Sequence, residues 1–397
     1  MKLRRLPEDF QVDEQTRVRP ESGPFAFYRL TKTSIGTPEA IAAIVDKWNV
    51  HRKRISYGGL KDRHAVTTQH LTIHNGPRRS LRQKSLELEY LGQIAMPFTS
   101  AESDGNRFRL VLRDMVADEV AQAENAAQQL TETGLPNYFD NQRFGSLGES
   151  GEWIARSWCL GDWERALWLA LADPHPNDSA AEKKQKQLLE ELWGQWPECQ
   201  AKLDRSSRRS IVTYLSDKVK AGREPDYRGA LARISIDLRG LYLSAFQSAL
   251  WNRLLTRYLE AMCPDSDLHP FALLSGKGVF PTQLPQDHHS ELMQANLPLP
   301  CARIDRPEGL VGDLLDDILR DEKIELRQIR VKYPRDSFFS RGTRRVLIRP
   351  ERLSWTCDTD DLYPGRKKMT LEFGLPRGSY ATILVKRLTD EEAVELE

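Results

Sequence analysis

Residues 58–75 read GGLKDRHAVTTQHLTIHN. From Ala65 onward the stretch alternates, with Leu71 and Ile73 on one face and Thr72 and His74 on the other, the two-residue period of a β-strand. Ahead of that strand two glycines lead into Asp62, which stands among Lys61, Arg63 and His64. A glycine-rich approach lets the backbone come close to a ligand. Neighbouring cations favour the ionised carboxylate, which suits a nucleophile or a base. Asp62 is therefore the leading candidate for chemistry. The competing reading is an exposed turn aspartate that pairs with Arg63 for at most ~1 kcal/mol.

Outward from this stretch, TPEAIAAIVDKWNV (37–50) predicts a helix. Thr37 is expected as its cap, Pro38 suits its first turn, and Ile41, Ile44, Val45 and Trp48 recur at helical spacing. SLELEYL and NRFRLVLRD alternate as strands. In the latter, Phe108, Leu110 and Leu112 face one way and Arg107, Arg109 and Arg113 the other. A second helix is expected over 116–133, ended by Gly134 with Pro136 beyond. Strands and helices mix here without a regular βαβ repeat, which argues for an α+β domain on a largely antiparallel sheet.

From about 153 to 325 helical patterns dominate and tryptophans cluster. LSAFQSALWNRLLTRYL places Leu243, Phe246, Leu250, Leu254 and Tyr258 on one helical stripe, a pattern of core packing. The segment 264–312 reads as loop-rich. Alternation returns after about 345, with Met369, Leu371 and Phe373 in KMTLEF and then GLPRGSYATILVKRL. This order predicts one domain interrupted by another: residues 1–152 and 336–397 build the first, 153–335 the insertion, and the C-terminal strands complete the N-terminal sheet.

The chain has 397 residues, 40% of them hydrophobic, and five scattered cysteines with no C-x-x-C pair. That pattern fits free thiols in a reducing compartment. No apolar run approaches the ~20 residues of a bilayer span, and MKLRRLPEDFQVDE has no apolar signal core, so a cytoplasmic protein is expected, and a monomer. Net charge is +1, unevenly spread. Residues 1–80 hold 15 Lys+Arg against 8 Asp+Glu, and residues 327–352 hold 9 against 2. Two such blocks can converge into a face for a polyanionic partner, although each can also be an ordinary solvated surface.

A second dense cluster is LPNYFDNQRFG (135–145), which gathers Asn137, Tyr138, Phe139, Gln142, Arg143 and Phe144. Aromatic rings stack on unstacked bases, an amide reads a base edge, and arginine holds phosphate or carboxylate. An aromatic loop packed into the core is the plain alternative. PEDFQVDE (7–14) is a third, shorter piece. His288 and His289 are adjacent instead of four apart, and no spacing resembles a metal site, a P-loop, a dinucleotide fingerprint or a nucleophile elbow.

In this order the motifs resemble the TruD family of tRNA pseudouridine synthases. GGLKDRHAVTTQ resembles its central motif, LPNYFDNQRFG its Asn-Tyr-Phe-Gly-x-Gln-Arg-Phe-Gly element, and PEDFQVDE its N-terminal segment. GNRFRLVLR, YLSAFQSALWN and LPRGSYATILVKRL match further elements, from residue 7 to about 388. Asp140 stands where the family usually has Gly, and Gly58 where Ala is common. The resemblance implies an α+β pseudouridine-synthase fold with an inserted α/β TRUD domain, a tRNA partner, uridine 13 as target, and no cofactor or metal. It assigns the essential aspartate to Asp62 and pocket aromatics to Phe10, Phe139 and Tyr380, with Asn137 in the same motif. Arg143 is the expected cationic partner of Asp62, and Lys61 the next choice. The alternatives are a non-catalytic RNA-binding protein on the same fold and a metal-dependent nuclease using Asp62 and His64.

Overall fold

The computed structural model describes residues 1–389; the end of the expected catalytic domain, 390–397, lies outside them. The chain forms two compact units. One holds Met1–Asn137, Thr282–Leu284 and the chain from Leu347 onward, and the other holds Tyr138–Pro281 and Pro285–Val346. Residues 138–152 and 336–346, expected in the catalytic domain, thus fall in the second unit.

The first unit is built on a ten-stranded sheet among the described residues. Its strands are β1 (Lys2–Leu3), β2 (Phe10–Thr16), β3 (Phe25–Thr33), β4 (Ile55–Tyr57), β5 (Val66–His74), β6 (Leu81–Gln83), β7 (Leu86–Ile94), β8 (Ser103–Met115), β9 (Glu351–Thr359) and β10 (Lys367–Pro376). Their order is β9-β10-β8-β2-β5-β3-β7-β6, with β1 on β8 and β4 on β5. The returning C-terminal chain therefore adds β10 to β8, antiparallel, with Phe373 opposite Phe108. Pairing is antiparallel throughout except between β2 and β5, where Gln11 lies beside Val66 and Asp13 beside Thr68. That parallel pair brings the loop before β5, and with it Asp62, to the same sheet end as Phe10 at the start of β2.

The helix Thr37–Trp48 packs Ala40, Ile41 and Ile44 on Leu30, Leu71, Ile73 and Leu88. Burying an Ile or Leu fully stabilises by about 1.5–3 kcal/mol, so Ile44→Asp would undo this layer. Thr37 is not the cap: Gly36 holds that position, Thr37 is the first helical residue, and Asn49 in the left-handed conformation ends the helix. The alternation of β5 is present, but burial is not confined to its apolar side chains. Thr67 and Gln69, on the face of Leu71 and Ile73, and Thr72, on the other, are as buried as those two. Gln69 and Thr72 find partners inside the protein, Gln69 from Thr37 and Thr72 Oγ1 from the Phe98 amide at 3.0 Å.

Arg113 departs from its expected solvent face. Its side chain is buried, with Nε 2.9 Å from both oxygens of Asp9 and one Nη 3.0 Å from both Asp360 and Asp361. Asp9 immediately precedes Phe10, so this cluster ties the entry of β2 to β8 and to the turn after β9.

The last segment also differs from its sequence pattern. After Pro376 the chain turns at Gly378 (φ 79°) and forms the helix Ala381–Thr389. Its Ile383, Leu384 and Leu388 are buried, and the helix lies against the helix Ala117–Thr133. Packing of one apolar face outweighs the strand preference of its β-branched residues.

In the second unit the helix Ile236–Met262 is the spine. Its stripe of Leu243, Phe246, Leu250, Leu254 and Tyr258 is buried, together with Trp251 and Asn252. The supposed loop region contains a hairpin, Leu268–Leu273 with Gly276–Pro281, and a strand, Asn296–Pro298, paired to Thr343–Arg345.

Candidate active site

Asp62 stands in the loop between β4 and β5. Its side chain is about one third exposed, and the guanidinium of Arg4 approaches its carboxylate to 3.5 Å. Arg4 has φ 62°, a left-handed conformation that costs a residue with a Cβ roughly 1–2 kcal/mol. Its guanidinium lies over the ring of Phe10 at 3.9 Å. Phe10 itself is only 2% exposed and meets Phe108 edge-on at 6.5 Å. Phe10 is thus a platform for Arg4. Arg4, Asp62 and Phe10 form one ion-pair and cation–π cluster, in which the stacked guanidinium is fixed in place for the carboxylate.

Arg4 carries no distinguishing local signal: it stands three residues before Pro7 of PEDF, and Arg5 beside it is an equal candidate by spacing. Lys61, the second choice as partner of Asp62, points elsewhere. Its Nζ lies 2.5 Å from Asn106 Oδ1 and 3.4 Å from Glu14. Glu14 is buried and accepts the His70 amide at 2.7 Å. Burial pushes its carboxyl up, but the bonds from His70 and the charge of Lys61 prevail and hold it below the ordinary value.

Beneath the loop lies a polar support that no motif announced. Lys32, on β3, is wholly buried. Its Nζ donates to the main-chain oxygens of Ile35 (2.8 Å), Asp62 (2.6 Å) and Lys61 (3.3 Å). Thr37 Oγ1 donates to Gln69 Oε1 at 2.8 Å and accepts the Lys61 amide at 3.0 Å. Gln69 Nε2 donates to the Gly59 oxygen at 3.2 Å. The flexible stretch that carries Asp62 is therefore held through its backbone at residues 59, 61 and 62. Burial pushes the Lys32 ammonium down to about 8, against the attraction of the Asp62 and Glu39 carboxylates.

Asn137 and the C-terminal motif meet in the first unit: Ser379 Oγ donates to Asn137 Oδ1 at 2.9 Å. Asn137 is buried and the neighbouring Tyr380 half-buried.

Phe139 and Arg143 belong to the second unit. Asn252, from the long helix, clamps the Phe139 backbone: Oδ1 accepts its N–H at 2.9 Å and Nδ2 donates to its C=O at 2.8 Å. The Phe139 ring meets Trp251 edge-on at 5.6 Å and carries the Arg344 guanidinium at 4.0 Å. Arg143 lies 5.6 Å from the same ring, and its Nε donates to Ser248 at 3.3 Å. Phe10 and Phe139 thus each carry an arginine guanidinium over the ring.

Among the described residues no cluster of His, Cys, Asp and Glu has the makings of a metal site, and no helix is long and apolar enough to cross a membrane.

The family model for tRNA pseudouridine synthase D (TruD) matches residues 1–388. The chain belongs to the TruD family. It is 30% identical over 400 residues to a protein of Methanococcus maripaludis named as a probable tRNA pseudouridine synthase D, covering 98% of this chain and 99% of that one. It is 28% identical over 412 residues to the tRNA pseudouridine synthase D of Leptospira interrogans, covering 97% and 95%. A TruD crystal structure from Methanosarcina mazei superposes with a TM-score of 0.73 at 24% identity, covering 98% of this chain and 93% of that one, which establishes the shared fold.

Proposed function

We propose that this chain isomerises a uridine of tRNA, uridine 13, to pseudouridine, with Asp62 as the essential carboxylate. The observation that carries the reading is the Asp62–Arg4 pair, set on Phe10 and on a loop supported from below, in a chain of the TruD family. The reaction breaks the glycosidic C–N bond, turns the uracil and rejoins it through carbon. Atoms and redox state are conserved, so the protein must supply positioning and a charged oxygen. Asp62 attacks the sugar or removes its proton, and Arg4 holds that carboxylate in place. Because a stacked base is out of reach, the uridine is flipped. Phe10, Phe139 and Tyr380 are the aromatic side chains assigned to the base, Asn137, Arg143 and Lys61 the polar ones assigned to substrate.

The test incubates the protein with unmodified tRNA in EDTA and maps pseudouridine chemically. Product in EDTA supports a cofactor-free synthase. Metal-dependent strand cleavage would indicate the nuclease, and binding alone the RNA-binding module. Asp62→Asn is expected to abolish turnover while tRNA affinity stays within a few fold. Near wild-type turnover by that variant would remove Asp62 from its role.

A further inference from the structure

The segment 327–345 carries seven Lys+Arg against one Asp+Glu. Its single acid, Asp336, is consumed: Arg239 of the long helix grips it through two nitrogens, at 2.8 and 3.0 Å. Asp336 is itself exposed but neutralised by that pairing, which leaves Lys332, Arg335, Arg341 and Arg345 as the exposed positive charges around it. Among the described residues the only aromatic side chains classed as exposed are Tyr333 and Phe338, and both lie in this segment. Tyr333 is occupied, with Arg228 over its ring at 4.6 Å. Phe338 is 64% exposed.

The chain is held on both sides of Phe338. Ser337 Oγ accepts from Arg239 at 2.7 Å, and Phe339 is buried. The Ser340 oxygen accepts from Gln247 at 2.9 Å, and the Gly342 oxygen accepts the Leu299 amide at 3.0 Å. A large apolar ring kept in water on a pinned loop is costly to hydration, and its rigidity lowers the entropy lost when something stacks on it. Every base offers a π-face, and its flanking phosphates need cations.

We infer that Phe338 is a stacking platform for an unpaired nucleobase of the bound RNA, other than the reacting uridine, with the adjoining phosphates held by Arg335 and Arg341. This rests on the tRNA-modifying reading above, but concerns a contact remote in sequence from every residue assigned to catalysis. The positive surround favours RNA over an apolar protein partner.

The test measures tRNA affinity of the full chain across a salt series, with thermal unfolding as the folding control. Phe338→Ala is expected to weaken binding about 5- to 150-fold with an unchanged salt slope, and Phe338→Trp to restore it. Arg341→Ala is expected to reduce the slope by about one. Ultraviolet cross-linking to tRNA should place an adduct on the peptide containing residues 335–341. Affinity of Phe338→Ala within twofold of wild type, or no adduct there, overturns the inference. So does a change in oligomeric state with tRNA affinity intact, which would mark a protein contact. Wild-type turnover in the same preparation separates the outcomes: an active enzyme indifferent to Phe338 sinks only this inference, and an inactive one sinks the proposed function.

Discussion

The Lys32 ammonium, with no surface in solvent, lies 2.6 Å from the main-chain oxygen of Asp62. It also holds Lys61 and Ile35, so a buried charge serves as a three-pronged brace for one loop. No carboxylate bonds it directly; Asp62 and Glu39 act on it at longer range, and Lys61 repels it. Such a group is expensive to bury without a partner, which suggests that it is kept for what it positions.

Lys32→Met is expected to lower turnover on the order of 100-fold, the scale of a reacting group displaced by about 1 Å. Single-turnover kinetics at saturating tRNA would measure it, and a loss under threefold would contradict it.

The same lysine predicts a pH signature. Its folded value, about 8, lies below its ordinary 10.5, so the unfolded chain binds the proton more tightly. The stability contribution of this group therefore rises between about pH 8 and 10.5, while the loop loses its charged brace above about 8. Relative to Lys32→Met, the wild type should show a fall in kcat above pH 8 accompanied by no loss in melting temperature from this group. Superimposable pH–rate profiles for the two proteins would refute the assignment.

Arg4→Ala should reduce kcat/KM about 10- to 100-fold, the scale of a hydrogen bond to a charged group at 1.5–3 kcal/mol. Arg4→Lys should recover only part of it, because an ammonium keeps the charge but not the planar stacking on Phe10. Equal activity of the alanine variant and the wild type would dissociate Arg4 from Asp62.

Arg113→Met should destabilise the protein by about 3–5 kcal/mol, because Asp9 and Asp360 are left buried without their cation. Burial opposes the Asp360 charge, yet the amides of Asp114 and Leu362 and the Arg113 side chain hold its carboxyl below the ordinary range. Stabilisation from Asp360 is then complete above about pH 4 and lost as pH falls through its lowered value. Denaturant melts at pH 7 and in acid check both; an unchanged midpoint at pH 7 would be contrary.

Arg344 and Arg345 are neighbours with different expected effects. Arg345 is exposed, and Arg345→Ala should weaken tRNA binding and reduce the salt slope by about one. Arg344 is stacked on Phe139 and bonds the Tyr138 oxygen at 3.5 Å, so Arg344→Ala should lower turnover with little change in slope. Equal slope changes for both would place Arg344 on phosphate after all. From sequence the two looked alike, members of one basic block.

What was legible in the chain was periodic or contiguous. The alternation of Phe108, Leu110 and Leu112, the helical stripe ending at Tyr258, and the stop at Gly134 all survive in the structure, because burial of one face acts over a few residues. Thr37 shows the limit. A threonine before a proline fits a cap, but its hydroxyl is taken by Gln69 and Lys61, which no local pattern could specify. Arg113 shows it again, since an arginine in phase with Arg107 and Arg109 is drawn inside by three acids that come from both ends of the chain.

By itself the sequence determined the fold class, the order of the motifs and the singular position of Asp62, since these depend on local spacing and short-range chemistry. Only the tertiary structure decided which cation faces Asp62, what braces its loop, and which aromatic of the basic segment stays in water. Those outcomes are set by contacts between residues distant along the chain, where sheet register and competition among partners choose one pairing from several that are locally equivalent.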